Sequence, residues 1–249
     1  MRKKFCSEVS FVGSLYTEHC PYDKLSNPSA ELTGYLNGIM DAQSLVYGYY
    51  FIEELLTTDI CETFKKHLPS YCTYPMDNFL TDQKIIGQHY IGSKITALER
   101  IRTMQILSEH FNMDLYTSSD TSMLPKIHNR GLANSLTEMP VIFHESKINL
   151  NTTSKSIRTG LPLRIFDIMC CGGFVLTNFQ TELPFLFNLD EEIVSYGSLE
   201  ELCDKTAYYL EHEQERLEIA HNGFERVSRE YTFPIRLTEM LLQAFSVSI

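Results

Sequence analysis

The chain has 249 residues, 43% of them apolar and 21% charged, with a formal net charge of −11. That composition fills a core and excludes disordered, collagen-like and low-complexity classes, and the length allows one large domain or one domain with an elaboration. The acidity argues against a bulk nucleic-acid or anionic-membrane binder, because both need a basic footprint.

No run approaches the roughly 18 uncharged apolar residues of a membrane helix. The longest apolar stretch, Ser44 to Ile52, is broken by Gly48 and ends at Glu53-Glu54. Met1-Arg2-Lys3-Lys4 is basic, but no apolar segment follows it, so the sequence predicts no signal peptide and a cytoplasmic location. The seven cysteines form no CxxC, and Cys170 and Cys171 are adjacent, which reads as reduced thiols. The histidines show no HExxH or HxH, and no metal site is expected. Charge is uneven: Leu189–Glu230 holds twelve acidic against four basic residues, while Lys84–Phe174 holds ten basic against seven acidic. A locally positive middle is compatible with one small anion such as a diphosphate. It is equally the pattern of an ordinary surface beside a solvated acidic helix pair.

In chain order, Val9-Ser10-Phe11-Val12-Gly13 reads as a short buried strand ending in a glycine turn. From about Leu15 to His89 the spacing predicts a mainly helical insertion, with helical patches at Gly34–Tyr47, Tyr49–Leu56 and Asp59–Leu68 between breaks at Asn27-Pro28, Pro69 and Pro75. Ile91–Phe111 is a long amphipathic helix, and Met113–Thr117 a strand ended by Ser118-Ser119-Asp120.

The second half alternates regularly. Ile148–Asn151 is a strand, and a polar loop leads to Pro162, which suits the first position of a helix reaching Cys171 with Leu163, Phe166 and Met169 or Cys170 on one face. Gly172-Gly173 stops it before the strand Phe174–Thr177; a short helix, Thr181–Phe187, and the strand Ile193–Tyr196 follow. Ser198-Leu199-Glu200-Glu201 is a capping box that opens a helix to about Glu211, and Glu213–Arg229 and the residues after Pro234 are helical. Strands alternating with helices predict an α/β fold: a parallel, Rossmann-like sheet with helices on both faces plus the insertion, all in one domain spanning 1–249.

In such a sheet, ligands bind beyond the carboxyl ends of the strands. The loops to watch follow Gly13, Thr117, Asn151 and Thr177. The third is the most informative: it carries Lys155, Arg158 and Gly160, with Arg164 and Asp167 in the helix after it. Amides at a helix N-terminus favour an anion. Gly160 permits close backbone approach, Arg164 offers a planar charge-assisted contact to phosphate, and Asp167, about one turn on, offers a carboxylate to ribose hydroxyls. The plain alternative is that Arg164 and Asp167 pair with each other. GxGxxG, GxxxxGK[ST] and GxSxG are all missing, so a dinucleotide fingerprint, a P-loop and a nucleophile elbow are not indicated. Asp190-Glu191-Glu192 reads as an exposed acidic turn.

The run Ser146–Asn151, then Gly160-Leu161-Pro162-Leu163-Arg164-Ile165-Phe166-Asp167 through Thr177, with Glu192–Tyr196, Glu215–Ala220, Asn222-Gly223 and Tyr231-Thr232 downstream, resembles the donor-binding C-terminal half of GT-B glycosyltransferases, in particular the spore-maturation-type, group 1-like enzymes. The likeness is strong over about 146–236 and weaker at Val9–Tyr16 and Glu99–Thr117. The insertion has no counterpart in the minimal domain, though some bacterial members carry one like it.

The resemblance implies a nucleotide-diphosphate-sugar donor, held as substrate with no cofactor. It implies Asp167 at the ribose, Gly160 and Arg164 beside the diphosphate, and Gly13, Lys147, Asn151 and Arg158 as further donor-binding candidates. Two departures stand out. Thr159 occupies the position of a second acid in many relatives, and Ser14 that of a basic residue after the first strand, for which Arg100 or Lys147 is the substitute. The acceptor-binding N-terminal domain of a GT-B enzyme has no counterpart here, so an excised or split half, or a partner supplying the other half, is expected. The catalytic residues stay unassigned, and the acceptor, a glycan or a protein, is not specified. The rival reading is a non-catalytic nucleotide- or sugar-binding or protein-interaction module.

Overall fold

The computed structural model describes residues 5–18, 20–71 and 80–245. The basic start Met1–Lys4 and the break expected at Pro75 lie outside them. Six strands form one parallel sheet: β1 (Val9–Val12), β2 (Met113–Tyr116), β3 (His128–Asn129), β4 (Ile148–Asn151), β5 (Val175–Asn178) and β6 (Val194–Tyr196). Their order is β3-β2-β1-β4-β5-β6, the doubly wound order of nucleotide-binding α/β folds, which reverses direction between β1 and β4.

The strands alternate as a two-faced sheet requires. Val9, Phe11, Met113, Leu115, Ile148, Leu150 and Leu176 point into one apolar cluster, capped by Met104 and Leu107 of α5 (Gly92–His110) and Leu202 and Tyr209 of α9 (Leu199–Glu211). Tyr116, Val175 and Ile193 point into another. It is closed by α6 (Met139–Glu145), by α7 (Leu163–Cys170) through Ile165, Ile168 and Met169, and by Leu183 of α8 (Leu183–Leu186). The helix α10 (Glu213–Glu230) serves both faces, with Ile219 in the first cluster and Val227 in the second, and α11 (Phe233–Ala244) follows it. At the start of α9 the capping box forms as read: Ser198 Oγ accepts from Glu201 N at 3.1 Å, while the Glu201 carboxylate accepts from Gly197 N at 2.7 Å.

Between β1 and α5 lie α1 (Ala30–Ser44), α2 (Ile52–Leu55), α3 (Thr58–Lys66) and α4 (Asp82–Lys84), followed by a π-helical turn, Ile85–Ile91, that runs into α5. These helices gather around an apolar cluster of their own, including Leu36, Ile52, Phe64, Leu68, Ile86 and Ile91. The helix expected at Tyr49–Leu56 shrinks to one turn, because Tyr49 O and Phe51 N are tied to the Gln43 side chain and the helix begins only at Ile52.

Three further sequence expectations are corrected. Pro162 is extended, with ψ 142°, and caps α7 instead of starting it. Of the face expected to carry Leu163, Phe166 and Met169, Leu163 is 75% exposed, while Met169 is buried with Ile165 and Ile168 and Phe166 packs against the same cluster. α5 is not amphipathic in the ordinary sense: wedged between sheet and insertion, it buries Thr96, Glu99 and Thr103 along with its apolar residues. The edge strand β3 and the helix α6 carry no pattern strong enough to be read. Among the described residues, no helix is long and apolar enough to cross a membrane.

Candidate functional site

The sheet's direction reverses between β1 and β4, so the loops after these strands part and leave a crevice at their carboxyl ends. Arg100 of α5 lies beneath both loops. Its guanidinium donates to the carbonyl of Ser14 and, at 2.8 Å, to that of Thr152, and it sits 4.7 Å from the ring of Tyr16. Its Nε is buried with no partner. Burial lowers the pKa of Arg100, and the nearby charge of Arg164 adds to the effect. The position Ser14 leaves without a cation is thus backed from below by Arg100, one of the two substitutes the sequence offered.

The loop after β4 is held by a buried polar network. Asn151 Nδ2 donates at 2.9 Å to both Thr153 Oγ1 and Thr177 Oγ1, and Asn178 pairs through its carboxamide with the backbone N–H and C=O of Thr153, at 2.8 Å each. Farther along, Ser154 Oγ lies 2.6 Å from Thr96 Oγ1 and 2.9 Å from Ser156 Oγ, tying the loop to α5. Lys155 turns inward. Its ammonium donates to Ser44 O at 2.7 Å, lies 3.6 Å from the Tyr47 ring centre, and faces Glu99 at 3.6 Å. Burial lowers the Lys155 pKa, and burial pushes the Glu99 carboxyl up to about 7 in spite of the lysine.

At the loop's end the chain turns through Gly160, whose φ of +82° is one that side-chain-bearing residues rarely adopt. A Cβ there would meet nothing within 4 Å, so the turn itself is what requires glycine. Gly160 N donates to the Glu182 carboxylate at 2.7 Å. No side chain caps α7 and Ile165 N turns back to Pro162 O at 3.1 Å, which leaves the amides of Leu163 and Arg164 as the orphan donors at the sheet's carboxyl end. Arg164, in the first turn of α7, packs over the Phe143 ring with its guanidinium 5.3 Å from the ring centre, and lies 3.5 Å from Asp167, which is 54% exposed at its side chain. Burial lowers the Arg164 pKa, with Asp167 opposing. The Arg164–Asp167 pair that the sequence left as the plain alternative therefore exists, and both groups border the same helix end.

Of the seven candidates, Gly160, Arg164 and Asp167 stand together at this edge. Gly13 begins the loop after β1, where its N–H donates to Tyr116 O at 3.1 Å. Asn151 lies on the floor of the crevice with its amide spent in the network just described. Arg158 is half exposed and reaches back to Glu53 of the insertion at 3.5 Å. Lys147 is not brought to the site: it precedes β4 and lies at the sheet's opposite end, in a groove with Glu213 and Arg216. Its nearness in sequence to Asn151 hides the full length of a strand.

A cleft of about 220 Å³ opens where the loop after β4 faces the turn after β5, and Glu182, Gln180, Phe179 and Tyr49 are among the residues that line it. None of these four was singled out in the sequence, although the turn after Thr177 was among the loops to watch. A three-residue segment of a remote insertion carries no local signal of where it will pack. Among the described residues, no group of three or more His, Cys, Asp or Glu could hold a metal ion.

A sequence profile of the glycosyl transferase-like family matches residues 96–242. The chain belongs to the glycosyl transferase-like family. The matched segment contains Arg100, the loop after β4, Arg164, Asp167 and Glu182, while the insertion precedes it. The spore protein CgeB of Bacillus subtilis (strain 168) is 28% identical over 91 residues, which is 36% of this chain and 25% of that protein. The chain thus aligns with a quarter of the length of this curated relative. Among solved structures, HepE of Anabaena in complex with UDP is similar at 13% identity, with a TM-score of 0.49 over 60% of this chain and 45% of that one. Sucrose-phosphate synthase of Thermosynechococcus elongatus is similar at 15% identity and a TM-score of 0.49, over 59% of this chain and 43% of that one.

Proposed function

We propose that this chain is the nucleotide-diphosphate-sugar-binding half of a GT-B glycosyltransferase, transferring a sugar when paired with an acceptor-binding N-terminal half. One observation carries the reading: in a member of the glycosyl transferase-like family, the uncapped N-terminus of α7, with Arg164 in its first turn, stands at the sheet's reversal point within electrostatic reach of the half-buried Arg100. Two poorly solvated guanidiniums of like charge destabilise each other, and a diphosphate between them relieves both while meeting the helix's orphan amides.

In this scheme Arg164 and the α7 amides take the diphosphate, Arg100 backs it from below, Gly160 shapes the turn, and Asp167 accepts from the ribose hydroxyls once the diphosphate draws Arg164 away from it. The helix dipole and the guanidiniums offset the diphosphate charge without a cofactor or metal. The acceptor and the group that takes its proton belong to the other half.

Calorimetric titration of the chain with UDP, GDP and ADP tests the reading. Binding of one of them with micromolar or tighter affinity, weakened in Arg164→Ala, is expected. No heat from any of the three, with the fold intact by circular dichroism, overturns it and favours a protein-interaction module. A transfer assay with an N-terminal half added then separates an enzyme from a binding module.

A further inference from the structure

The cleft between the loop after β4 and the turn after β5 has a third wall that the sheet does not supply. Gly48, Tyr49 and Tyr50 of the insertion close it, leaving about 220 Å³. Pockets that take a drug-sized ligand whole run to roughly 300–1,000 Å³, so this one accommodates a single ring of a larger molecule.

The wall is fixed in place. The fully buried Gln43 donates to Tyr49 O at 2.8 Å and accepts from Phe51 N at 2.9 Å, which locks the segment between them. Lys155 joins the end of α1 to the loop after β4 through Ser44 O at 2.7 Å. Gly48, at φ +76°, lies so close to Phe179 that a Cβ on it would stand 2.9 Å from the ring. The Tyr50 hydroxyl donates to the Gly87 carbonyl of the π-helical turn, and the Tyr49 hydroxyl to Glu54.

The lining selects for one kind of ring. The Glu182 carboxylate accepts from Gly160 N at 2.7 Å, and a carboxylate keeps further lone pairs for hydroxyl donors while it repels phosphate. Thr181 adds a hydroxyl, and Tyr49 and Phe179 add aromatic surface. A neutral ring that carries several hydroxyls on one side and C–H groups on the other satisfies all of these at once. A phosphate meets Glu182 with like charge.

We propose that this cleft holds the glycosyl group of the donor and that the insertion, through Tyr49 opposite Glu182, sets which sugar enters. The proposal rests on the donor-domain reading above and adds to it a specificity element lying outside the segment that the family profile matches.

The test is calorimetry on the whole chain with UDP, GDP and ADP and with the glucose conjugate of each. For the nucleotide that binds, adding glucose is expected to change the affinity by about fivefold or more. Tyr49→Ala, at a side chain already half exposed, and Glu182→Gln, which keeps an acceptor for Gly160, are each expected to remove most of that difference. If the sugar makes no difference in the parent, or makes the same difference in both variants, the proposal is overturned while the donor-domain reading stands. If none of the three nucleotides binds the parent, the donor-domain reading falls and this proposal with it.

Discussion

Lys155 and Glu99 face each other at 3.6 Å with 5% of either side chain exposed, one on the loop after β4 and the other on α5. The lysine also donates to the end of α1 through Ser44 O at 2.7 Å. One buried ammonium therefore joins loop, helix and insertion. Removing one partner of a buried pair leaves the other uncompensated, at a cost of about 3–5 kcal/mol. Lys155→Met is expected to fall at the low end of that range and to cost less at pH 6 than at pH 8, because Glu99 escapes by taking a proton. Urea unfolding at the two pH values measures this.

The same carboxyl gives the parent a pH dependence with a definite sign. Its folded pKa, about 7, lies above the ordinary 4.5, so between those values the native state keeps a proton that the unfolded state releases. The group's contribution is fully present below about pH 4.5 and is lost as pH rises through about 7, an effect of roughly 1–3 kcal/mol. Lys155, Arg100, Tyr47 and Tyr196 are the ionisable groups around it. Glu99→Gln is expected to flatten the stability profile over that window.

Arg164→Ala is expected to weaken nucleoside diphosphate binding by about 1.5–3 kcal/mol, the worth of a charged hydrogen bond. Among the described residues its side-chain contacts are with the half-exposed Asp167 and the Phe143 ring, so the melting temperature should move little. Equal affinity in variant and parent would remove Arg164 from the site.

Asp167→Asn distinguishes a ribose clamp from a proton-transfer group. The carboxylate sits a turn into α7, beside Arg164. As a clamp it needs only to accept, so the asparagine is expected to weaken nucleotide binding and to leave turnover at saturating donor close to the parent's in the reconstituted enzyme. Unchanged donor binding with turnover abolished would move Asp167 into the chemistry.

Gly48→Ala is expected to cost about 1–3 kcal/mol, since it combines a left-handed backbone with a collision against Phe179. Thermal unfolding reads the loss. A variant as stable as the parent would show that the insertion and the turn after β5 do not press on each other as described.

Five of the six strands were legible because they are short apolar runs between strong turn signals, and α9 because Ser198 and Glu201 announce its start. The loop after β4 was legible as a helix entry preceded by glycine. Position along the strand axis was not: Lys147 and Asn151 are neighbours in sequence yet stand at opposite ends of β4. Nor was the inward turn of Lys155, which depends on Glu99 and on the end of α1, groups brought together only by tertiary packing. Gln43 reads as an ordinary helix-surface residue, yet it is wholly buried because Tyr49–Phe51 folds back over it.

The place of β1 has a kinetic consequence. It is a central strand of the sheet, yet its partners are Met113–Tyr116 on one side and Ile148–Asn149 on the other, each about a hundred residues or more along the chain. At a synthesis rate of roughly 5–20 residues per second, β1 waits on the order of several seconds before either neighbour exists. Meanwhile the insertion, with a separate apolar cluster built from contacts close in sequence, can collapse first. Of the strands in this sheet, the first made is then the one that waits longest for a partner, and conditions that slow synthesis lengthen the exposure of Val9 and Phe11 to chaperones and to other nascent chains.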